Sequence, residues 1–194
     1  VKKTRDLKLA DFQKKLASLT FLDPACGSGN FLTETYLSLR RLENKAVMLR
    51  LGEQIVMGDA ADFNPIQVSI GQFYGIEIND FAVTVAKTAL WIAESQMMTE
   101  TEKIIGMNLD FLPLTTNAFI VEGNALRMNW ETLKPIDENV QLNDGLFAGF
   151  ATEVDGNEIQ YDYIMGNPPF VGQAFRTKEQ AKEMQDVFAP SPAG

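Results

Sequence analysis

Histidine is absent from the 194 residues, which removes every mechanism that needs imidazole as acid, base or metal ligand near neutral pH. The single cysteine, Cys26, excludes a disulfide within the chain and a multi-cysteine zinc site. No apolar run approaches the roughly 18 residues that a membrane-spanning helix needs, and Val1-Lys2-Lys3-Thr4-Arg5-Asp6 leads into no apolar signal core. A cytoplasmic protein is therefore expected. Positive charge is also scarce, with 17 Lys and Arg against 26 Asp and Glu and a formal net charge of -9, so the surface as a whole is not a phosphate-gripping platform. Any chemistry here must use carboxylates, amides, backbone groups or a cofactor.

What is present is an ordinary globular composition, 45% hydrophobic and 22% charged, long enough for one domain with its own core. The charge is unevenly spread. Lys2, Lys3, Arg5, Lys8, Lys14 and Lys15 outnumber Asp6 and Asp11 in the first 20 residues, whereas eight acidic residues between Glu131 and Asp162 face Lys134 alone. That second stretch reads as a solvated loop, an acidic insertion near residues 131–160.

Apolar residues at 9, 12, 16 and 19 predict a lead-in helix over residues 1–18. Leu19 to Asp23 is a short apolar run stopped by Pro24 and a Gly-rich turn, and Phe31 to Arg50 has helical periodicity. Phe73 to Ile78 reads as a buried strand, after which Asn79 caps a helix with apolar residues at Phe81, Val85, Thr88, Ala89 and Ile92. Ala118 to Val121 and Tyr161 to Met165 are two further apolar runs, ending in Gly123-Asn124 and Gly166-Asn167. Four strands with polar groups at their carboxyl ends predict an α/β protein with an incomplete doubly wound, mainly parallel sheet. On this reading residues 19–172 form a partial catalytic core, residues 173–194 a truncated segment of a longer polypeptide, and Ala189 to Gly194 a frayed tail.

Three motifs carry chemistry. In Asp23-Pro24-Ala25-Cys26-Gly27-Ser28-Gly29-Asn30-Phe31, the two glycines let backbone approach a ligand at the carboxyl end of a strand. A dinucleotide fold would want a third glycine where Leu32 stands, and a phosphate loop would want Gly-Lys-Ser/Thr. The carboxylate of Asp23 suits a ligand with a cationic amino group better than a pyrophosphate. Glu77 ends the second strand, where a carboxylate accepts hydrogen bonds from ribose hydroxyls. The 48 residues from Gly29 to Glu77 exceed the ordinary spacing of about 20 and imply an elaboration. Ile78 is placed to pack on an adenine face and Asn124 to read its edge.

The third motif, Asn167-Pro168-Pro169-Phe170, has the most specific logic. An exocyclic amine on a base is a poor nucleophile because its lone pair is delocalised into the ring. When an Asn167 oxygen and the Pro168 carbonyl each accept one N–H, that lone pair turns toward a methyl donor without a general base. Two prolines stiffen the carbonyl that must be aimed, and Phe170 offers a stacking face for a flipped base.

Together these motifs resemble the amino-group DNA methyltransferases that use S-adenosylmethionine. The motif order, with Phe73-Tyr74-Gly75-Ile76-Glu77 and Phe170-Val171-Gly172, is similar to the adenine-N6 methylase segment of single-chain, type IIG restriction-modification enzymes of the MmeI-like type. The likeness spans about Leu16 to Phe188. It implies a Rossmann-like methyltransferase fold in which Asp23, Gly27 and Gly29 cradle the methionine part of the cofactor. Pro24, Ala25 and Phe31 belong to the same cofactor set, Glu77 holds the ribose, and Ile78 and Asn124 meet the adenine. Many relatives carry Asp where Asn124 stands. Asn167, Pro168, Pro169 and Phe170 hold the target adenine. Cys26 falls in the cofactor loop and lacks the setting of a cytosine-C5 nucleophile.

The partner implied is double-stranded DNA, gripped through a target-recognition domain outside these residues. Alternative readings are methylation of cytosine N4, RNA or a protein glutamine amide, and a cofactor-binding scaffold without turnover.

Overall fold

The structure, a computed structural model, describes residues 2–51, 64–109, 117–133, 159–169 and 176–188. The lead-in helix α1 spans Lys2–Ser18, followed by β1 (Phe21–Asp23), α2 (Asn30–Leu51), β2 (Phe73–Glu77), α3 (Asp80–Ile105), β3 (Phe119–Glu122), β4 (Tyr163–Ile164) and α4 (Lys178–Phe188). The strands form one sheet in the order β3-β2-β1-β4, and every pairing is parallel. Placing β1 inside the sheet buries Phe21, Leu22 and Asp23 together, as expected for a strand covered on both faces.

The register follows from side chains on each face. Phe21 stacks between Phe73 and Tyr163, with ring centroids 5.1 and 5.3 Å apart, a cross-strand ladder of the kind that pins parallel neighbours. On that face Phe21, Phe73 and Ile120 pack with Leu32, Tyr36, Ala86 and Leu90 from α2 and α3. On the other, Leu22 and Ile76 pack with Leu133, Tyr74, Trp130 and Tyr161. The Tyr161 hydroxyl donates to the Trp130 carbonyl at 2.7 Å, satisfying its polar end.

Several boundaries are tighter than the apolar runs suggested. β1 starts at Phe21 rather than Leu19, because Thr20 is occupied by Asp162: its N–H donates to Asp162 Oδ2 at 2.8 Å, and its hydroxyl donates to the Gln160 carbonyl at 2.8 Å. Asp162, counted above among solvated acidic residues, thus aligns β4 beside β1. Residues 134–158 of the expected acidic insertion, and Ala189 to Gly194, lie outside the described residues.

The face of α3 is corrected more sharply. Asn79 does cap it, accepting from the Ala82 N–H at 3.2 Å, and Gly106 ends it in the left-handed region. The buried row, however, is Val83, Ala86, Leu90, Ala93 and Met97. Phe81 and Ile92, two of the apolar residues by which the sequence marked this helix, are exposed, Phe81 by 74%. The helix carries two apolar rows, and the inward one is chosen by close packing: a Cβ on Gly29 would lie 2.9 Å from that of Ala86. Only a small residue on α3 fits against that turn.

Between α2 and α3 lies a buried polar cluster. Arg40 pairs with Glu43 and donates to Thr101 Oγ1 at 2.8 Å, and Thr101 in turn bonds Asn44. Glu43 Oε1 accepts from the backbone of Gln67 and Val68 at 2.7 and 3.2 Å, fixing the approach to β2.

Candidate cofactor and catalytic site

The carboxyl ends of β1, β2 and β4 converge. Asp23 is buried, and its Oδ1 accepts from the Ala25 N–H at 3.0 Å, which folds Pro24 and Ala25 into the turn. Its Oδ2 is buried without a hydrogen-bond partner. Burial pushes the Asp23 carboxyl above the ordinary carboxylate range; the Ala25 bond opposes the shift and the nearby Glu77 charge adds to it. A buried, partly unsatisfied carboxylate is favourable only when a cation or donor completes it. The structure thus fits a ligand with an ammonium group at this position.

Glu77 ties the loop to β2. Its Oε2 accepts from the Gly27 N–H at 2.8 Å and its Oε1 from the Asn79 N–H at 3.0 Å. Each oxygen has a further lone pair for hydroxyl donors. Gly27 has φ of 55°, and a Cβ there would meet nothing within 4 Å, so its backbone borders open space. Gly29 differs from expectation: it is buried, with φ of 78°, and its missing side chain makes room for Ala86 rather than for a ligand. Cys26 is a packing residue. Its N–H donates to the Ile76 carbonyl at 3.0 Å, and burial, with Asp23 and Glu77 nearby, pushes its thiol up to about 12, far from thiolate reactivity.

Apolar surface flanks these carboxylates. Phe31, at the start of α2, is 49% exposed, and Ile78, directly after Glu77, is 70% exposed. Phe81 adds a third exposed apolar side chain at the start of α3.

Asn124 is placed after β3, as expected, but its amide already has partners. Oδ1 accepts from the Leu126 N–H at 3.0 Å, capping the short turn Ala125–Arg127, and Nδ2 donates to Glu183 Oε2 at 3.1 Å. Sequence reasoning missed Glu183, which lies 59 positions away and carries no local signal.

The segment that leads into Asn167 sits beside Asp23. The Met165 N–H donates to the Leu22 carbonyl at 2.8 Å, bringing Gly166 so close that a Cβ on it would lie 2.6 Å from Asp23 Oδ1. Any side chain at 166 would displace that carboxylate. Asn167, Pro168 and Pro169 follow, all solvent-exposed, while Phe170 lies outside the described residues. The site therefore joins Asp23, Gly27 and Glu77 to Asn167 across adjacent strands, with Asn124 at the far edge beside β2.

The chain is similar over nearly all its length to known proteins. The family described as MmeI, DNA-methyltransferase domain, matches residues 1–193. The chain is 35% identical over 185 residues to DNA methyltransferase A of Bacillus subtilis (strain 168), which covers 93% of this chain and 18% of that protein. It is also similar to the solved structure of the type IIL restriction-modification enzyme MmeI in complex with DNA. That match has a TM-score of 0.73 and 32% identity, and covers 95% of this chain and 21% of that one. The chain thus spans about a fifth of the length of these relatives.

Proposed function

From the premise that this chain belongs to the MmeI DNA-methyltransferase domain family and has its Rossmann-like, mainly parallel α/β fold, we propose that it carries the methyl-transfer site of an S-adenosylmethionine-dependent, adenine-N6-specific DNA methyltransferase. The observation that carries this reading is the buried Asp23 carboxylate, whose Oδ2 has no partner and whose Oδ1 lies against Gly166, one residue before Asn167.

When bound, S-adenosylmethionine supplies a methyl group activated by its sulfonium. The residues of this chain do the rest. Asp23, with Pro24 and Ala25 shaping the turn, accepts from the ammonium of the methionine part. Glu77 accepts from the ribose hydroxyls with the lone pairs left free by Gly27 and Asn79. Ile78 and Phe31 present apolar surface, and Asn124 faces the adenine edge. On the β4 side, Asn167 Oδ1 and the Pro168 carbonyl accept the two N–H groups of the target amine, so its lone pair points at the donor. Pro168 and Pro169 hold that carbonyl, and Phe170 stacks on the flipped adenine.

Residues 19–172 are the catalytic core in this reading, within a longer restriction-modification polypeptide whose other parts recognise the DNA sequence. Among the described residues no helix is long and apolar enough to cross a membrane. An enzyme acting on DNA in a bacterial or archaeal cell works in the cytoplasm.

The test is methyl transfer to DNA by the full-length protein. Asn167→Ala should lower turnover by on the order of 10²-fold or more, because it removes an orienting acceptor, while leaving cofactor affinity close to that of the parent. The product should be N6-methyladenine. Unchanged turnover, or methyl on cytosine N4, contradicts the assignment.

A further inference from the structure

The sheet order puts β4 and β3 at opposite edges. The helix that follows the catalytic motif in the chain, α4, is nevertheless seated on the turn after β3. Of the described α4 side chains only Glu183 and Met184 are partly buried. The Glu183 side chain is 16% exposed and is held from two sides, by Asn124 Nδ2 at 3.1 Å and by an ion pair with Arg127.

This contact matters because a side-chain amide has two faces. Rotated by 180°, asparagine exchanges its acceptor for its donor, so an unrestrained Asn124 would match a ligand edge of either polarity. Here the Leu126 N–H requires oxygen on one side, and the Glu183 carboxylate, which has no proton to give, requires N–H on the other. One orientation survives, with one lone pair on Oδ1 and one N–H on Nδ2 left for a ligand. That acceptor–donor pair complements adenine, whose amine donates and whose neighbouring ring nitrogens accept. Hypoxanthine shows the opposite pattern, a carbonyl acceptor beside a ring N–H donor.

We propose that Glu183 is a positioning residue that locks the Asn124 amide and so makes the cofactor pocket selective for adenine over its deaminated form. The inference rests on the reading of Asn124 as the residue facing the cofactor's base. It assigns α4 a task that links the two edges of the site: the helix following the target-base motif orients the group that recognises the donor's base.

The experiment is calorimetric titration of this chain, Glu183→Ala and Glu183→Gln with S-adenosylhomocysteine and with S-inosylhomocysteine, with melting temperature recorded for each protein. The parent should prefer the adenine compound by about tenfold or more. Glu183→Ala leaves the Leu126 N–H bond as the one described restraint on the amide and should narrow the preference to within about threefold, chiefly by gaining affinity for the inosyl compound, whose edge then competes with that single bond. Glu183→Gln, whose side-chain oxygen still accepts from Asn124, should keep most of the parent's preference. A Glu183→Ala protein that is folded and retains the parent's ratio overturns the proposal and leaves the pocket assignment standing. Equal weakening of both compounds also overturns it, since that is what a purely structural contact would give. A folded parent that binds neither compound overturns both.

Discussion

Two buried carboxylates, Glu43 in α2 and Asp23 at the end of β1, are treated in opposite ways. Glu43, between α2 and α3, has both oxygens engaged, one by Arg40 and the other by the Gln67 and Val68 backbone. Asp23, at the carboxyl end of β1, has a single backbone donor on one oxygen and nothing on the other. Glu43, which serves the fold, has its charge neutralised inside the chain. The unpartnered Asp23 oxygen, at a strand end beside Gly27 and Glu77, is where a bound donor would complete the proposed site.

The comparison can be broken first at Arg40. Arg40→Ala would strand Glu43 as an unpaired buried charge, and removal of one partner of such a pair costs about 3–5 kcal/mol. Chemical denaturation should show a loss of that size, or a chain that no longer folds; a loss under about 1 kcal/mol would mean that the pair is dispensable.

A third carboxylate sharpens the contrast. Glu94 is buried with one partnerless oxygen, and burial pushes it from the usual 4.5 up to about 7, against the opposing pull of Arg40 and a backbone bond from Ile70. The folded state therefore binds this proton more tightly than the unfolded state does. Stability due to Glu94 is present below about pH 4.5 and is lost as the pH rises to about 7, by about 3 kcal/mol in all. Glu94→Gln should remove that component of the slope. Denaturation curves at pH 5 and 8 check it, and parallel pH profiles for variant and parent would contradict it.

These contrasts bear on how much the sequence reveals. The Gly-rich turn after β1, the place of Glu77 at the end of β2, the Asn79 cap and the place of Asn167 after β4 were readable because each depends on residues close together in the chain: a tight turn needs Gly27, and a helix start needs a side-chain acceptor. What escaped depends on distant partners. The inward face of α3 is selected by the approach of Gly29 to Ala86, 57 positions apart by number, and periodicity alone cannot rank two apolar rows on one helix. Asp162 looked like one more solvated charge until Thr20 was found to hold it. Gly166 gave no sign that it borders Asp23, and Glu183 none that it holds Asn124. The Asn124 amide, read from sequence as free to meet a ligand, is instead half engaged by the protein itself.

The most direct test of the central claim, that Asp23 is left incomplete so that a cationic cofactor can complete it, is calorimetric titration of S-adenosylmethionine into this chain and into Asp23→Asn. Loss of a charge-assisted hydrogen bond should weaken binding by about tenfold to a hundredfold. The ligand-free variant should melt no lower than the parent at pH 8, because the charged carboxylate is a burden to the empty fold. Equal affinity in a folded parent and variant would contradict the account.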